Sequence, residues 1–448
     1  MLDNSETNQS QANEESQSEP SSGSSGVWLR RLARIGPAIV VAAVVLGPGS
    51  IVSASRVGCE YGLDLLWVVP LAGLLMIGMT MASMMIGVVG QKTLCQSVAD
   101  SFGRPAAWLV GGSLMIAVTL FQASNNNAML MAVGGFVDRS TLDGLSPLTR
   151  SLLLLLVNIG IIAIVVLGRR DLYRIVERLM AVLVGMMVIA FGLSMIASQP
   201  AVSDVAMGLV PKLAVSSGAD AGGGTAAAVS WLSIGAMIAT TFSVAGAFYQ
   251  SYQVKEKGWG EKDLRVGLVD SFVGIASLAL ITGMVFITAA TALHGKVDPK
   301  ELTDASVVAI SLEPLFGAWA KIVFSLGIFA GAASSFLVNA LIGGVVFCDA
   351  IGLNSKMSST SVRSSTIAAL LLGWLVASTV AITGIDLVSF IVIAQALTVL
   401  CFPILALVIV WQLKKLPIAV PAAITILCWL GLLVVLALSA RTLWGLLS

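Results

Sequence analysis

Gly47-Pro48-Gly49-Ser50 interrupts an apolar stretch, residues 36–58, that is otherwise long enough to cross a membrane as a helix. Backbone N–H and C=O groups released by such a break have no water to bond to in hydrocarbon. They are tolerated only where the backbone lines a polar cavity or holds a ligand. A lone proline would be a kink packed against its neighbours. Two glycines, a proline and a serine together predict an unwound segment. In membrane transporters, discontinuous helices of this kind sit at the substrate site. Gly47, Gly49 and Ser50 are therefore the first candidate substrate-binding residues.

Working outward, the rest of the 448-residue chain fits the same solvent. It is 57% hydrophobic and only 11% charged, against about 25% charged in a soluble domain. Apolar segments of spanning length predict eleven helices, near 36–58, 65–90, 106–135, 149–168, 174–198, 228–251, 268–293, 316–347, 364–384, 387–413 and 417–440. The short alternating segments of a membrane barrel are absent from the sequence. The expected class is an all-α polytopic membrane protein. Placing the N-terminus in the cytoplasm puts 17 of the 25 Lys and Arg residues on the inner side, about seven on the outer, and the C-terminus outside. That orientation fits a plasma (inner) membrane. The lipid bilayer is thus the first partner, and the net charge of +1 gives no reason to expect nucleic acid.

Residues 1–27 hold five acids, no base, and many Ser, Gln and Asn; they are expected to be a disordered cytoplasmic tail rather than a signal peptide. Residues 28–448 are expected to form one membrane-embedded, transporter-like domain. Cys59, Cys95, Cys348, Cys401 and Cys428 have neither metal-finger nor redox spacing and read as small buried apolar residues.

An inverted-repeat architecture places a second broken helix five spans after the first. The sixth span has no proline, but its centre carries Thr240, Thr241, Ser243 and Gly246. Hydroxyls can satisfy freed carbonyls, so a break is expected here as well. The third span carries Thr119, Gln122, Ser124, Asn125, Asn126 and Asn127. Neighbouring residues cannot share one helix face, so some must meet other helices or a polar path. Ser334, Ser335 and Asn339 in the eighth span, and Gln395 and Thr398 in the tenth, extend the polar set. Individually each is ordinary interhelical glue; converging on two broken helices, they are expected to line a cavity.

No Asp, Glu or His lies near the centre of any expected span. A buried carboxylate is the usual device for proton coupling or for attracting a dication. Arg56 is the one charge well inside a span. It either pairs with Glu60 at i+4 or points into an outer vestibule. No nucleophile–base or acid–base constellation points to an enzyme, and no cofactor is implied.

Residues 35–403 resemble the NRAMP (natural resistance-associated macrophage protein) divalent-metal transporters. The resemblance rests on Gly47-Pro48-Gly49-Ser50, Gly58, Glu60-Tyr61-Gly62 and Leu65-Leu66-Trp67, which fall without a gap on that family's first helix. Ser334-Ser335, Gln395 eight residues before Pro403, residues 170–177 and Gly208-Leu209-Val210-Pro211 also match. It implies a fold of LeuT/APC type: two inverted five-helix repeats, about 36–198 and 228–413, with broken first and sixth helices, plus an extra helix at 417–440. It also implies alternating access around a midplane site. The family's metal-binding Asp falls on Gly47 and its Asn on Ser50. Its Met-Pro-His falls on Ser243-Val244-Ala245, a carbonyl ligand on Thr240 and a second histidine on Gln250. The acids of its proton path fall on Thr119 and Gln122.

The resemblance implies metal-cation transport of the Mg, Mn or Fe class, with Ser50, Thr240 and Gln395 as the metal-ligand set and Gly47, Gly49 and Ser243 beside it. Thr119, Gln122, Ala245, Gln250 and Arg56 would line the cavity or the remnant of the proton path. A thioether selects transition metals over Mg²⁺. Without it, and without the acids, altered selectivity and loss of proton coupling are expected. Two other readings stay open: a carrier of a neutral or zwitterionic organic solute such as an amino acid, whose carboxylate a helix N-terminus would attract, and a non-transporting sensor.

Overall fold

A glycine in extended conformation opens the described part of the chain. In the computed structural model, residues 47–90, 92–137, 144–167, 185–186, 188–211, 226–302 and 308–447 are described. Gly47 (φ −79°, ψ 176°) precedes α1, Pro48–Tyr61, with the proline in the first turn. There its missing N–H costs no helical bond and its fixed φ suits the helix. Every residue of α1 is buried. It stops at Gly62, whose φ of +57° favours glycine.

Next come α2, Val68–Val89, and α3, Leu94–Phe102. Helix α3 is too short to span. It begins in a capping box in which Thr93 Oγ1 accepts from Gln96 N (3.2 Å) and Gln96 Oε1 accepts from Thr93 N (3.3 Å). Then follow α4, Arg104–Val133, and α5, Pro147–Leu167. Helices α6, Val188–Ala197, and α7, Val202–Gly208, meet at a bend of 120°. Helices α8, Ala226–Thr241, and α9, Val244–Glu256, are the two halves of the sixth span. Next are α10, Leu264–Leu293, α11, Ala320–Ile351, and α12, Thr360–Thr383. Helices α13, Leu387–Thr398, and α14, Phe402–Leu413, are joined by the 3₁₀ turn Val399–Cys401, at the point where Pro403 forbids a continuous ladder. Helix α15 is Ala422–Leu447.

Among the described residues there is no strand, and eight helical segments are long and apolar enough to cross a membrane. The start of α1 after an extended Gly47 and the break at Phe242–Ser243 in the sixth span fit the inverted-repeat reading; the part of the first span before Gly47 lies outside the described residues. The expected count of eleven reaches into residues 36–46 and 168–184, outside those described, as do the 1–27 tail and the 170–177 match. Helices α3 and α7 were not expected from the sequence. The N-cap of α3 reads directly as Thr93-x-x-Gln96, but nine residues are too few to cross a membrane.

Helix α4 is the central post. It packs on α11, α12 and α13, while α1 packs on α8 and α10, and α9 on α2. Close approach depends on small residues. A Cβ on Gly58 would stand 2.9 Å from Phe286 O and 3.0 Å from Ala290 N, so α1 and α10 touch backbone to backbone. Across the tenth-span break, Ser439 Oγ of α15 donates to Val399 O (2.8 Å). Ser439→Ala should therefore cost about 0.5–1.5 kcal/mol, read as a small fall in thermal midpoint in detergent. An unchanged midpoint would mean that this carbonyl finds another donor.

Candidate functional site

The two breaks face one cavity. Helix α8 ends at Thr241, and Ser243 (φ −77°, ψ 91°) caps α9, accepting from Gly246 N at 3.4 Å. At the end of α8 the helical ladder stops with Phe242 N on Ile238 O (2.7 Å), and at the start of α1 Ser50 N turns back to Gly47 O (3.0 Å), so the carbonyls of the last residues of α8 have no N–H one turn on within the helix. The cavity between them measures about 30 Å³ and is lined by Gly47, Gly49, Ser50, Phe121, Asn125, Thr240, Ser243, Ser335, Asn339 and Gln395. That volume holds one or two water-sized particles. All six residues expected at the substrate site are brought together here.

Seven of the ten lining residues carry a hydroxyl or amide and none is ionisable. Gln395 Nε2 donates to Ser124 Oγ (2.9 Å), and Asn125 Nδ2 to Gln122 Oε1 (3.0 Å). The amide oxygens are left for the cavity. Gln395 Oε1 is buried with no hydrogen-bond partner, in a residue only 3% exposed. A buried acceptor in that condition is costly unless something donates to it or coordinates it. The Thr240 hydroxyl donates to Met237 O (3.0 Å), which turns its lone pairs outward. The last turn of α8 adds partial negative charge and the first turns of α1 and α9 add partial positive charge. Chemically the site offers neutral oxygen ligands, suited to a small hard cation that keeps some of its water.

The second group of expected residues does not line this cavity. Thr119, half-buried, returns its hydroxyl to Met115 O (2.9 Å) within α4. Gln122 is fully buried and donates to Phe336 O of α11 (2.6 Å). Ala245 is packed in the first turn of α9, and Gln250 is buried with both amide atoms unpartnered. Arg56 does not point into a vestibule. Its Nε donates to Glu60 Oε1 at 2.7 Å, both side chains are buried, and Ser233 Oγ of α8 reaches the same oxygen at 3.4 Å. Family correspondence gives a residue its height along a helix but not its facing, and these five face helix contacts.

Asn125, Ser335 and Asn339 stood out in the sequence as polar but were not singled out as site residues; Phe121 was missed. Phe121 lies at i−4 from Asn125, on the same helix face, and that spacing was the available signal. The remaining asparagines are structural: Asn127 Nδ2 donates to Ala123 O (3.0 Å), and Asn158 Nδ2 of α5 to Asn126 Oδ1 (2.7 Å).

Comparison with known proteins adds to this geometry. A family profile described as natural resistance-associated macrophage protein-like (Nramp) matches residues 38–445. A protein named divalent metal cation transporter MntH, from Deinococcus radiodurans, is 23% identical, with 94% of this chain and 91% of that protein covered. Its namesake from Pectobacterium carotovorum is 24% identical over 70% of this chain and 72% of its own length. Among solved structures, a single-substitution mutant of the Eremococcus coleocola manganese transporter superposes with a TM-score of 0.69 at 17% identity, covering 95% of this chain and 88% of that one. MhsT in complex with L-phenylalanine superposes at 0.58, also at 17% identity, covering 91% and 98%. These two likenesses establish the fold.

Proposed function

The chain belongs to the Nramp family, and on that premise we propose that it moves a divalent metal cation across a membrane by alternating access through the cavity between α1 and α8–α9. The observation that carries the reading is the unpartnered Gln395 Oε1 in a cavity of about 30 Å³ walled by neutral oxygens. Ser50, Thr240 and Gln395 are the proposed ligands, with Gly47, Gly49 and Ser243 shaping the space. Relatives named divalent metal cation transporters support the cargo class.

Selectivity and coupling follow from what the ligands lack. With Ser at 243 there is no thioether to favour a transition metal, so a partly hydrated Mg²⁺ suits the site as well as Mn²⁺. With Thr119 and Gln122 in α4, neither side chain can carry a proton, and uptake should proceed without proton co-entry. The reading places repeats at about 36–198 and 228–413, an extra helix at 417–440, the N-terminus in the cytoplasm, the C-terminus outside, and the protein in the plasma (inner) membrane. The organic-solute alternative draws on the positive ends of α1 and α9. A cavity of about 30 Å³ has room for one or two water-sized particles and not for the several heavy atoms of an amino acid.

Uptake of Mn²⁺ or Mg²⁺ into proteoliposomes, with a fluorescent reporter inside and empty liposomes as control, tests the proposal. Saturable entry supports it; no entry of either ion through folded protein defeats it. Ser50→Asp should tighten dication binding by at least about tenfold in a calorimetric titration, because a carboxylate at close range outweighs a hydroxyl. Unchanged affinity would remove residue 50 from the site.

A further inference from the structure

A second cavity, of about 210 Å³, lies where α14 ends and α15 begins. Its walls are apolar, among them Leu413, Ile418 and Val420, and its polar edge consists of Lys414 and Thr425. The Lys414 ammonium sits 4.6 Å from the centroid of Trp429, another lining residue. One residue on, Lys415 Nζ lies 3.7 Å over Trp411 and 3.4 Å from Ser101 Oγ of α3. Neither lysine is in an ion pair among the described residues, and none of the residues lining the cavity is acidic.

Beside the cavity, one side of α15 is apolar and exposed, as a lipid-facing surface would be. Ile426, Trp429, Leu430 and Leu433 recur at helical spacing along one side of α15 and are 58%, 39%, 46% and 59% exposed. Trp429 therefore belongs both to this apolar stripe and to the cavity. Tryptophan and lysine together mark the level of the lipid headgroups. In the orientation proposed above, this end of α14 lies at the cytoplasmic leaflet, where anionic lipids concentrate.

From these features we infer that the groove between α14 and α15 is a binding site for one anionic phospholipid. An acyl chain fills the cavity between Leu413, Ile418 and Val420. The phosphodiester lies against Lys414 and Lys415 with the Thr425 hydroxyl within reach. The tryptophan rings hold the ammonium groups at headgroup level, which lowers the entropy lost when the phosphate docks. The inference rests on the chain being embedded in a bilayer in the proposed orientation and is independent of what the central cavity carries.

Native mass spectrometry of the full-length protein in detergent micelles supplied with dioleoyl-phosphatidylglycerol or dioleoyl-phosphatidylcholine tests it. Wild type should retain one phosphatidylglycerol in preference to phosphatidylcholine. Lys414→Gln should reduce that adduct about fivefold, the worth of one lysine at a membrane surface. Lys262→Gln removes the same charge from the loop ahead of α10 and should leave the adduct unchanged. Val420→Trp keeps both lysines but fills the cavity, and it should lose the adduct while eluting as a folded protein. The inference fails if phosphatidylcholine is retained equally, if Lys262→Gln matches Lys414→Gln, or if Val420→Trp keeps the lipid. It fails too if excess inorganic phosphate displaces the adduct, which would mean a simple anion site.

Discussion

Gly49→Ala should reduce saturable cation uptake in proteoliposomes roughly a hundredfold while the protein remains folded. A Cβ at residue 49 would stand 2.7 Å from Gln395 Cδ, well inside contact distance, with the amide nitrogen nearer still. Gln395 can swing aside only by giving up a hydrogen bond. Its Nε2 is held by Ser124 Oγ of α4 at 2.9 Å and the residue is buried. One methyl group therefore breaks the bond to Ser124 and moves the amide oxygen proposed to face the ion. Displacements on the order of 1 Å in a preorganised site carry losses of that size. The cavity, at about 30 Å³, also has no spare volume for the methyl. Helical content by circular dichroism and elution in gel filtration should match wild type, because the clash meets a side chain and not a helix backbone. Wild-type uptake by Gly49→Ala would show that Gln395 is not a ligand.

Arg56→Met should destabilise the folded protein by about 3–5 kcal/mol, the usual cost of stripping one partner from a buried ion pair. The remaining Glu60 is 9% exposed, and its Oε2 already lacks a hydrogen-bond partner. Without the guanidinium, Oε1 keeps, among the described residues, the Ser233 hydroxyl at 3.4 Å. The double variant Arg56→Met/Glu60→Leu should recover most of the loss, since two apolar side chains of similar volume replace a buried pair at little net cost. Thermal unfolding in detergent, compared across wild type, single and double variants, reads the effect. A single variant as stable as wild type would mean that water reaches Glu60, and the pair would then have the small worth of a surface contact.

The broken first helix was legible because Gly47-Pro48-Gly49-Ser50 violates helix chemistry inside an apolar run, a contradiction visible in four letters. The sixth-span break was legible only through its partner. Thr240 and Ser243 are compatible with an intact helix, and the repeat supplied the reason to expect otherwise. Gln395 was found by spacing from Pro403. Side-chain facing was not legible. Gln250 is seven residues below Ser243, about 10 Å along the axis, so sharing a side of α9 does not bring it to the same cavity. Thr119 could have served a path, but its hydroxyl bonds within its own helix, which no sequence pattern distinguishes. Arg56 had two readings from sequence, and only the burial of Glu60 beside it decides for the pair.

The junction between α8 and α9 has a mechanical consequence. Only Phe242 and Ser243 lie outside helix there, and each half is finished by its own bonds: Phe242 N to Ile238 O at 2.7 Å closes one, and Ser243 Oγ with Ala247 N to Ser243 O at 3.0 Å opens the other. A swivel of the Val244–Glu256 rod about those two residues would melt neither helix. The resistance to it would come instead from side contacts such as Ser83 Oγ to Phe248 O at 3.2 Å. The joint is a hinge with prefabricated ends, so the work of turning is set by what the rod slides against and not by the rod itself.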